Sequence, residues 1–224
     1  DMAIARIKRL NFTAKCYWVV EGDIKGFFDN IDHNVMIESL WQIGIRDKRI
    51  LSIIKQMLKA GVMDECETSE LGTPQGGIIS PLLANIYLNR FDRFITGDFE
   101  RKKLRRTYSR SDGRLQAMRK HSKLKTAYYV RYADDWVILT DNKEDAERLK
   151  YKAKRYLRDT LKLELSEEKT LITNVTSRPI KFLGVEIKMD VRNGRMVNKV
   201  SPDMVRFDRK MKELSRELFM LRKT

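Results

Sequence analysis

The chain has 224 residues, of which 42% are hydrophobic, so it can bury one large core or two small ones and is not a disordered tail. Lys and Arg number 46 against 31 Asp and Glu, and the net charge of +15 favours a polyanionic partner, nucleic acid first and an anionic membrane surface second. No apolar run reaches the length of a membrane span, the N-terminus lacks a signal-peptide pattern, and Cys16 and Cys66 fit neither a zinc motif nor a disulfide framework.

Short strands alternate with helices along the first half of the chain, which predicts a single α+β unit. The run 17–20 is typical of a buried strand and leads directly into Asp23. His33 follows Asp32 without any catalytic partner pattern, so it is expected to begin a helix. Apolar residues at helical spacing predict a further helix over 48–60, which the next glycine ends.

The middle of the chain contains a loop, a long helix and a hairpin. Pro and paired Gly make 73–77 a loop, because both residue types interrupt helices and strands. Ser80 and Pro81 predict the start of the next helix, with Ser80 as N-cap and Pro81 in the first turn. The runs 128–132 and 136–140 flank an Ala-Asp-Asp sequence and predict a β-hairpin with acids in its turn.

The last third of the chain predicts a helix, a second hairpin and a final helix. The helix covers 143–161, and an Asn-Gly turn joins strands at 185–189 and 195–197. Ser201 and Pro202 are expected to begin the final helix. Its apolar positions follow a three-then-four spacing: Met204, Phe207, Met211, Leu214, Leu218 and Leu221. Such a narrow stripe needs a packing partner.

A strongly basic segment covers 90–131, where 14 Lys and Arg stand against four acids, so 14 − 4 gives +10 of the total charge of +15. We expect this segment to contact the phosphate backbone of a nucleic acid, with a solvated insertion as the alternative. Its candidate RNA-binding residues are Arg101, Lys102, Lys103, Arg105, Arg106, Arg110, Arg114, Arg119 and Lys120. Tyr108, Tyr128 and Tyr129 are candidates for stacking on bases.

Three carboxylates from distant segments form the candidate chemical centre. Asp23 ends an apolar strand, whereas Asp134 and Asp135 lie in the predicted hairpin turn. Phosphoryl transfer uses divalent metal ions to neutralise the triphosphate, and carboxylates from different segments hold such ions. Bringing carboxylates together without a cation is costly, because each raises the pKa of the others. Two adjacent acids are also ordinary turn chemistry, and both interpretations remain open at this point.

Five short motifs follow one another in a characteristic order. They are DIKGFFD at 23–29, PQGG at 74–77, YADD at 132–135, EKT at 168–170 and FLG at 182–184. Together they resemble the successive palm motifs of reverse transcriptases, over about residues 1–189. The longer stretches 72–88 and 131–135 are similar to the branch encoded by group II introns, whose members combine reverse transcriptase and maturase activity.

This resemblance implies a right-hand polymerase palm, in which helices pack on an antiparallel sheet, with partial fingers. It makes Asp23 and Asp134 the principal ligands of two Mg²⁺ ions, for which Mn²⁺ can substitute. The Ile24 carbonyl would assist, and Asp135 would lie close by. Lys169 would act with the three carboxylates in catalysis by protonating or electrostatically assisting the pyrophosphate leaving group.

The resemblance also implies contacts with the substrates. Phe28 would lie beneath the sugar of the incoming nucleotide, where its ring clashes with a 2′-hydroxyl and so selects deoxynucleotides. One of Phe27 and Phe28 is expected to be a core residue. Gln75 and Gly76 would bind the nucleotide together with Lys169, with a plain surface turn as the alternative. The primer grip would consist of Phe182, Leu183 and Gly184. Core packing is the alternative for the first two.

By this resemblance the chain divides into four parts. They are the palm with the first metal-binding motif at 1–43, a fingers-side helix and loop at 44–77, the palm at 78–200 with the basic insertion 90–127 and the catalytic hairpin 128–140, and a helix at 201–224 that leads towards the thumb. Pairing of that helix in a homodimer is the alternative. The family's N-terminal fingers motifs and its helical thumb are missing from the sequence, so the isolated chain is expected to bind template and nucleotide incompletely.

The predicted function is that of an RNA-directed DNA polymerase of a group II intron, which also binds intron RNA as a maturase in splicing and retrohoming. Its partners would be an intron RNA template, a DNA or RNA primer and a dNTP, with no membrane. The expected location is the bacterial cytoplasm, in a nucleoid-associated ribonucleoprotein. The alternative is an RNA-binding maturase and splicing cofactor with little or no polymerase activity in this fragment. An RNA-dependent RNA polymerase would share the palm acids, but Phe28 argues against ribonucleotide use.

Overall fold

A computed structural model describes residues 2–59, 71–73, 78–102, 107–110, 113–114, 116–118 and 124–221, except for the side chains of 217–221. Gln75, Gly76 and Cys66 lie outside these ranges, whereas Cys16 is buried in the core. None of the described helices combines the length and the apolar character needed to cross a membrane.

Helices and strands alternate along the chain as predicted. The helices are α1 (Met2–Arg9), α2 (His33–Gln42), α3 (Lys48–Lys59), α4 (Ser80–Gly97), α5 (Lys143–Leu161) and α6 (Met204–Leu221). The strands are β1 (Trp18–Gly22), β2 (Tyr128–Tyr132), β3 (Asp135–Thr140), β4 (Leu171–Asn174), β5 (Ile180–Phe182), β6 (Val185–Arg192) and β7 (Arg195–Pro202). A π-helical turn (Leu10–Ala14) continues α1, and a 3₁₀ turn (Phe28–Asn30) precedes α2.

The larger sheet is antiparallel, with the strand order β2-β3-β1-β4. β1 is a central strand, since Val20 lies opposite Ile138 of β3 on one side and Ile172 of β4 on the other. α5 packs on β1 and β3, while α4 packs on β2 and α5. Phe91 of α4 joins these layers, because its ring lies 5.2 Å from that of Trp136 in β3. Aromatic burial of this kind fixes the sheet against the helices.

The smaller sheet is antiparallel as well, with the strand order β5-β6-β7. Leu183 and Gly184 form the two-residue turn between β5 and β6, both with positive φ angles of 51° and 77°. Asn193 and Gly194 connect β6 and β7 in the same way, at 52° and 70°. Two positive φ values match the turn type that suits the twist of paired strands. The predicted second hairpin is confirmed, and its strands are longer than expected.

Several predicted boundaries are confirmed and two are wrong. The helix over Lys143–Leu161 and the hairpin of β2 and β3 agree with prediction. Ser80 is not the N-cap of α4: Ile79 occupies that position without a side-chain cap, and Ser80 is the first helical residue. Ser201 and Pro202 do not begin the final helix, because both pair with β6 as the last residues of β7. Asp203 caps α6 instead, with its carboxylate accepting from the amide of Val205 at 3.2 Å.

The apolar stripe of α6 has no cover within the part of the chain that the structure describes. Four of its residues are exposed: Met204, Phe207, Met211 and Leu214. The side chains of Leu218 and Leu221 lie outside the described part.

The predicted helix start at His33 is confirmed. His33 is the first residue of α2 and follows the N-cap Asp32, whose carboxylate accepts from the amides of Asn34 and Val35.

Candidate active site

Asp23 lies at the end of the central strand, and its backbone is held from both directions. Gly22, the last residue of β1, pairs with Trp136 of β3, so Asp23 emerges at the edge where β3 begins. The Asp23 carbonyl accepts from the amide of Ser166 at 2.9 Å, and its own amide donates to the Thr170 hydroxyl at 3.5 Å. These contacts fix the direction in which the Asp23 side chain leaves the sheet.

The hairpin of β2 and β3 places two further carboxylates at the same edge. Ala133 and Asp134 form the turn between β2 and β3, and Asp135 is the first residue of β3. Because β1 and β3 are antiparallel and Gly22 is paired one residue beyond Asp135, the end of β1 and the start of β3 are neighbours. The sequence-predicted carboxylates Asp23, Asp134 and Asp135 therefore converge from segments more than 100 residues apart.

The electrostatics of Asp135 reflect this convergence. Burial raises the pKa of Asp135, and repulsion from the Asp134 and Asp23 carboxylates raises it further, while Arg206 opposes the shift. Carboxylates that repel one another in this way are stabilised by a divalent cation. Within the described residues, no three His, Cys, Asp or Glu side chains are already arranged as a metal-binding group. The fit to a metal therefore rests on ligand type and mutual repulsion, and Asp23, Asp134 and Asp135 are the residues that would hold it.

Lys169 and Ile24 lie beside these carboxylates. The Lys169 ammonium is 3.6 Å from Oδ2 of Asp23, and its side chain is 71% exposed, so the pair contributes little to stability. An exposed, weakly held ammonium remains available to a substrate. Lys169 and Asp23 line a cavity of about 470 Å³ together with Asp135 and Phe182. The Ile24 side chain is buried, and its backbone forms a bridge with Leu165.

Phe28 lines a cavity together with the turn between β2 and β3. The Phe27 side chain is buried and meets the half-buried Phe28 edge-on, with ring centroids 5.1 Å apart, so the expected division into one core and one accessible ring is found. The Phe28 carbonyl accepts from the amide of Thr73 at 2.9 Å, which ties it to the segment that precedes the predicted nucleotide loop. Phe28 and Asp134 line one cavity of about 880 Å³. Gln75 in that loop lies outside the described residues.

Arg131 makes contacts that sequence analysis did not predict. Its Nε and Nη2 donate to the Asp92 carboxylate of α4, each at 2.7 Å. Its Nη1 donates to Oδ1 of Asn85 at 2.9 Å and to the carbonyl of Ala133 at 2.6 Å. Ala133 has a φ of 54°, which is unusual for a residue with a Cβ, and the Arg131 contact helps to hold it. Burial lowers the pKa of Arg131, but the hydrogen bonds and charge of Asp92 raise it above its usual value.

The predicted primer grip forms the turn between β5 and β6. Phe182 is buried, whereas Leu183 and Gly184 are half-buried in the turn itself. Arg206 of α6 approaches this turn, since a Cβ added to Gly184 would lie 3.5 Å from the Arg206 Nη1. The same guanidinium partly opposes the rise in the pKa of Asp135, so it links the turn to the carboxylates electrostatically. No sequence pattern connected Arg206 with either feature.

Only part of the basic segment is described. Arg101, Lys102 and Arg110 are exposed, and Arg114 donates to the Lys102 carbonyl at 2.6 Å. The remaining candidates lie outside the described residues: Lys103, Arg105, Arg106, Arg119 and Lys120. Arg131, the last residue of the segment, is not available to phosphate because its guanidinium donates two hydrogen bonds to the Asp92 carboxylate. The stacking prediction is wrong for Tyr128 and Tyr129, whose side chains are buried under α1 and α4.

Comparison with known proteins identifies the family. The sequence pattern described as reverse transcriptase (RNA-dependent DNA polymerase) matches residues 2–187. The chain belongs to this family, whose enzymes use divalent metal ions. It is 38% identical over 211 residues to the group II intron-encoded protein LtrA of Lactococcus lactis subsp. cremoris, covering 77% of this chain and 35% of LtrA. The predicted resemblance to group II intron reverse transcriptases and maturases is confirmed.

A second relative and a solved structure agree with this family assignment. Protein YkfC of Escherichia coli (strain K12) is 35% identical over 176 residues, which is 75% of this chain and 46% of YkfC. The apo telomerase of Candida tropicalis superposes with a TM-score of 0.58 at 14% identity, covering 90% of this chain and 36% of that one. At such low identity the telomerase confirms the fold alone, a reverse-transcriptase palm of helices on antiparallel sheets. The chain thus spans less than half the length of these relatives.

Proposed function

We propose that this chain is the catalytic palm of an RNA-directed DNA polymerase, which adds deoxynucleotides to a primer on an RNA template. The main support is the convergence of Asp23 with Asp134 and Asp135, together with the raised pKa of Asp135. A site that concentrates negative charge at the end of a sheet suits the binding of divalent cations with a triphosphate. We further propose that the cations are two Mg²⁺ ions, which Mn²⁺ can replace.

Lys169 and Phe28 have separate parts in the proposed reaction. The primer 3′-hydroxyl loses its proton to water, its oxygen forms a bond to the α-phosphorus, and the bond between that phosphorus and the leaving pyrophosphate breaks. When bound, the cations neutralise the triphosphate and lower the pKa of the primer hydroxyl. Lys169, which is exposed beside Asp23, is placed to neutralise the leaving pyrophosphate. Phe28 shares a cavity with Asp134 and would exclude a ribose 2′-hydroxyl there.

Nucleotide and primer contacts complete the proposal. Gln75 and Gly76 would bind the nucleotide from the loop that follows Thr73. The turn of Leu183 and Gly184, supported by buried Phe182, would press the primer end towards the carboxylates. The Ile24 carbonyl would assist the two ions.

The division of the chain into palm (1–43 and 78–200), fingers-side segment (44–77) and thumb-directed helix (201–224) belongs to the same proposal. The exposed stripe of α6 would pack on a thumb, with a homodimer as the alternative. We propose a bacterial cytoplasmic ribonucleoprotein near the nucleoid as the setting, with no membrane partner.

A second function, binding of intron RNA as a maturase, rests on a different observation. The net charge of +15 and the exposed Arg101, Lys102 and Arg110 favour contact with a polyanion, and a relative is named as group II intron-encoded. The basic insertion 90–127 would supply these contacts. Strong dependence of RNA affinity on salt is expected for this function.

Primer extension tests the first proposal. Purified protein is given an RNA template, a DNA primer, one dNTP and Mg²⁺, and the Asp23→Asn and Asp134→Asn variants are compared with it. Both variants should lose activity by at least about a hundredfold, because each lacks a proposed ligand. Glu144→Gln, in the first turn of α5, is the acid-to-amide control and should extend normally. Phe28→Val should incorporate ribonucleotides more readily. Normal extension by Asp134→Asn would refute the enzymatic proposal and leave RNA binding as the better supported function.

A further inference from the structure

The ribbon of β6 and β7 carries like charges directly opposite one another. The register pairs Lys188 with Lys199 and Arg192 with Arg195. Directly opposed like charges are unfavourable in an antiparallel pair, because the side chains stand close together on one face. Since residues two or four apart on a strand share a face, both pairs lie on the same face of the ribbon. We call this surface, defined by these four residues, the basic ribbon face.

The opposite face attaches the ribbon to the protein, which leaves the basic ribbon face pointing away from the body. Ile187 and Met189 of β6 are buried. Asn198, opposite Met189, donates to the Lys8 carbonyl at 2.9 Å and accepts from Asn11 at 3.2 Å. The ribbon is therefore fixed through its apolar and amide side, and its cations are presented by a rigid support.

The basic ribbon face keeps a net positive charge. None of them has a carboxylate within ion-pair distance in the described part of the chain, unlike Lys181 of β5, which lies 3.1 Å from Asp203. Two acids share the face: Asp190 lies between the two basic pairs, and Glu186 lies at the β5 end, where it is 3.7 Å from the Lys181 ammonium. Four cations against these two acids leave the face net positive. A net positive surface with opposed cations on a rigid ribbon is complementary to a regularly spaced polyanion.

We propose that the basic ribbon face binds the sugar-phosphate backbone of the nucleic acid that occupies the active site. This inference rests on the proposed polymerase function, and continuity of the sheet supports it. Phe182, at the end of the same sheet, lines the cavity that contains Asp23 and Asp135. β6 has eight residues and extends about 27 Å from there, at ~3.4 Å per residue, so a duplex leaving the site could follow it. An acidic protein or an anionic membrane would lack this continuity with the site.

Charge reversal separates binding from folding. Lys199→Glu and Arg195→Glu each convert a like-charge pair into an opposite-charge pair, so the melting temperature should stay the same or rise. Affinity for an RNA–DNA hybrid with a single-stranded template overhang should instead fall, about tenfold for the double variant. The slope of log affinity against log salt should decrease by about 0.9 for each phosphate that the protein no longer neutralises. The control is the double variant Lys143→Glu/Lys162→Glu, whose positions lie at the start of α5 and just after its end. It changes the net charge by the same amount as the ribbon double variant and should keep near-normal affinity for the hybrid.

The outcomes are distinct. Weaker hybrid binding with a reduced salt slope, at equal or higher stability, supports the proposal. The proposal is overturned if the ribbon double variant binds the hybrid as tightly as the control double variant does. It is also overturned if the ribbon variant loses binding only to vesicles that contain anionic lipid. Primer extension is measured in the same preparations at saturating hybrid. A wild-type rate there preserves the proposed catalytic function whichever way the ribbon result falls, whereas an Asp134→Asn variant that extends primers as well as the wild-type protein counts against the polymerase proposal.

Discussion

Replacing Arg131 by lysine tests whether the turn that carries Asp134 depends on the guanidinium. The fork of Arg131 joins three partners at once: the Asp92 carboxylate, the Asn85 amide and the Ala133 carbonyl. Lysine keeps the positive charge and can still pair with Asp92, but it lacks the planar fork that reaches the turn at the same time. We therefore expect Arg131→Lys to fold and to lose activity.

The size of the effect follows from the hydrogen bonds of the guanidinium. The side chains of Arg131 and Asp92 are only 11% and 21% exposed, so water screens them weakly. A hydrogen bond to a charged group contributes about 1.5–3 kcal/mol. If the absence of the bond to Ala133 displaces Asp134 in the transition state, kcat should fall roughly 10- to 100-fold, because 1.4 kcal/mol corresponds to about a factor of ten.

Single-nucleotide primer extension at saturating dNTP measures kcat, and a Mg²⁺ titration measures the concentration for half-maximal rate. Arg90→Lys is the matched control, since Arg90 lies on α4 and makes a single side-chain bond of 3.0 Å to Glu38. We expect a lower kcat and a higher Mg²⁺ requirement for Arg131→Lys alone. Equal kcat and equal Mg²⁺ requirement in the two variants would refute the reasoning, as would an activity loss that only follows the melting temperature.

Three further variants test the surrounding structure. A Cβ at Gly22 would lie 2.0 Å from Cζ2 of buried Trp136, so Gly22→Ala should lower the free energy of unfolding by about 1–3 kcal/mol and shift the tryptophan fluorescence; an unchanged denaturation curve would contradict this packing. Asp135→Asn removes a carboxylate that Asp134 and Asp23 repel, so its melting temperature in EDTA at neutral pH should exceed that of the wild type, and a lower value would count against the repulsion. Burial raises the pKa of Glu100, although the charge of Arg6 opposes the shift. The pKa of Glu100 is therefore higher in the folded protein than in the unfolded chain. Its contribution to stability is present below the unfolded pKa and is lost as the pH rises through the folded pKa. Glu100→Gln should gain melting temperature relative to the wild type as the pH rises through that folded pKa, and a difference that stays constant with pH would disagree.

Much of the site could be predicted because its signals are local. A strand ending in an acid and a hairpin with acids in its turn are both visible in short windows. The resemblance of the five motifs to reverse transcriptases then implied that Asp23 and Asp134 act together, with Asp135 close by. The apolar spacing of 143–161 likewise gave α5 in full. Such patterns depend on neighbours within a few residues, which the sequence displays directly.

The pairings that escaped prediction join distant residues. Asp92 and Arg131 are 39 positions apart, and each had been counted only as part of a basic segment. Arg206 reaches the turn at Gly184 because α6 begins beside that turn, where the amide of Asp203 donates to the Gly184 carbonyl at 3.0 Å. No periodicity encodes these pairings. The helix start at Ser201 failed for a related reason: a Ser-Pro pair is a good local start, but pairing with β6 outweighed it.

The central position of β1 has a consequence for synthesis of the protein. Val20 pairs with Ile172, which leaves the ribosome 152 residues later, since 172 − 20 = 152. At the usual rate of translation this is a wait on the order of ten seconds. During that interval one hydrogen-bonding edge of the strand next to Asp23 is open to wrong partners. Nascent chains that stall before β4 should therefore depend on chaperones, and the carboxylate cluster should acquire its final geometry only after most of the polypeptide has emerged.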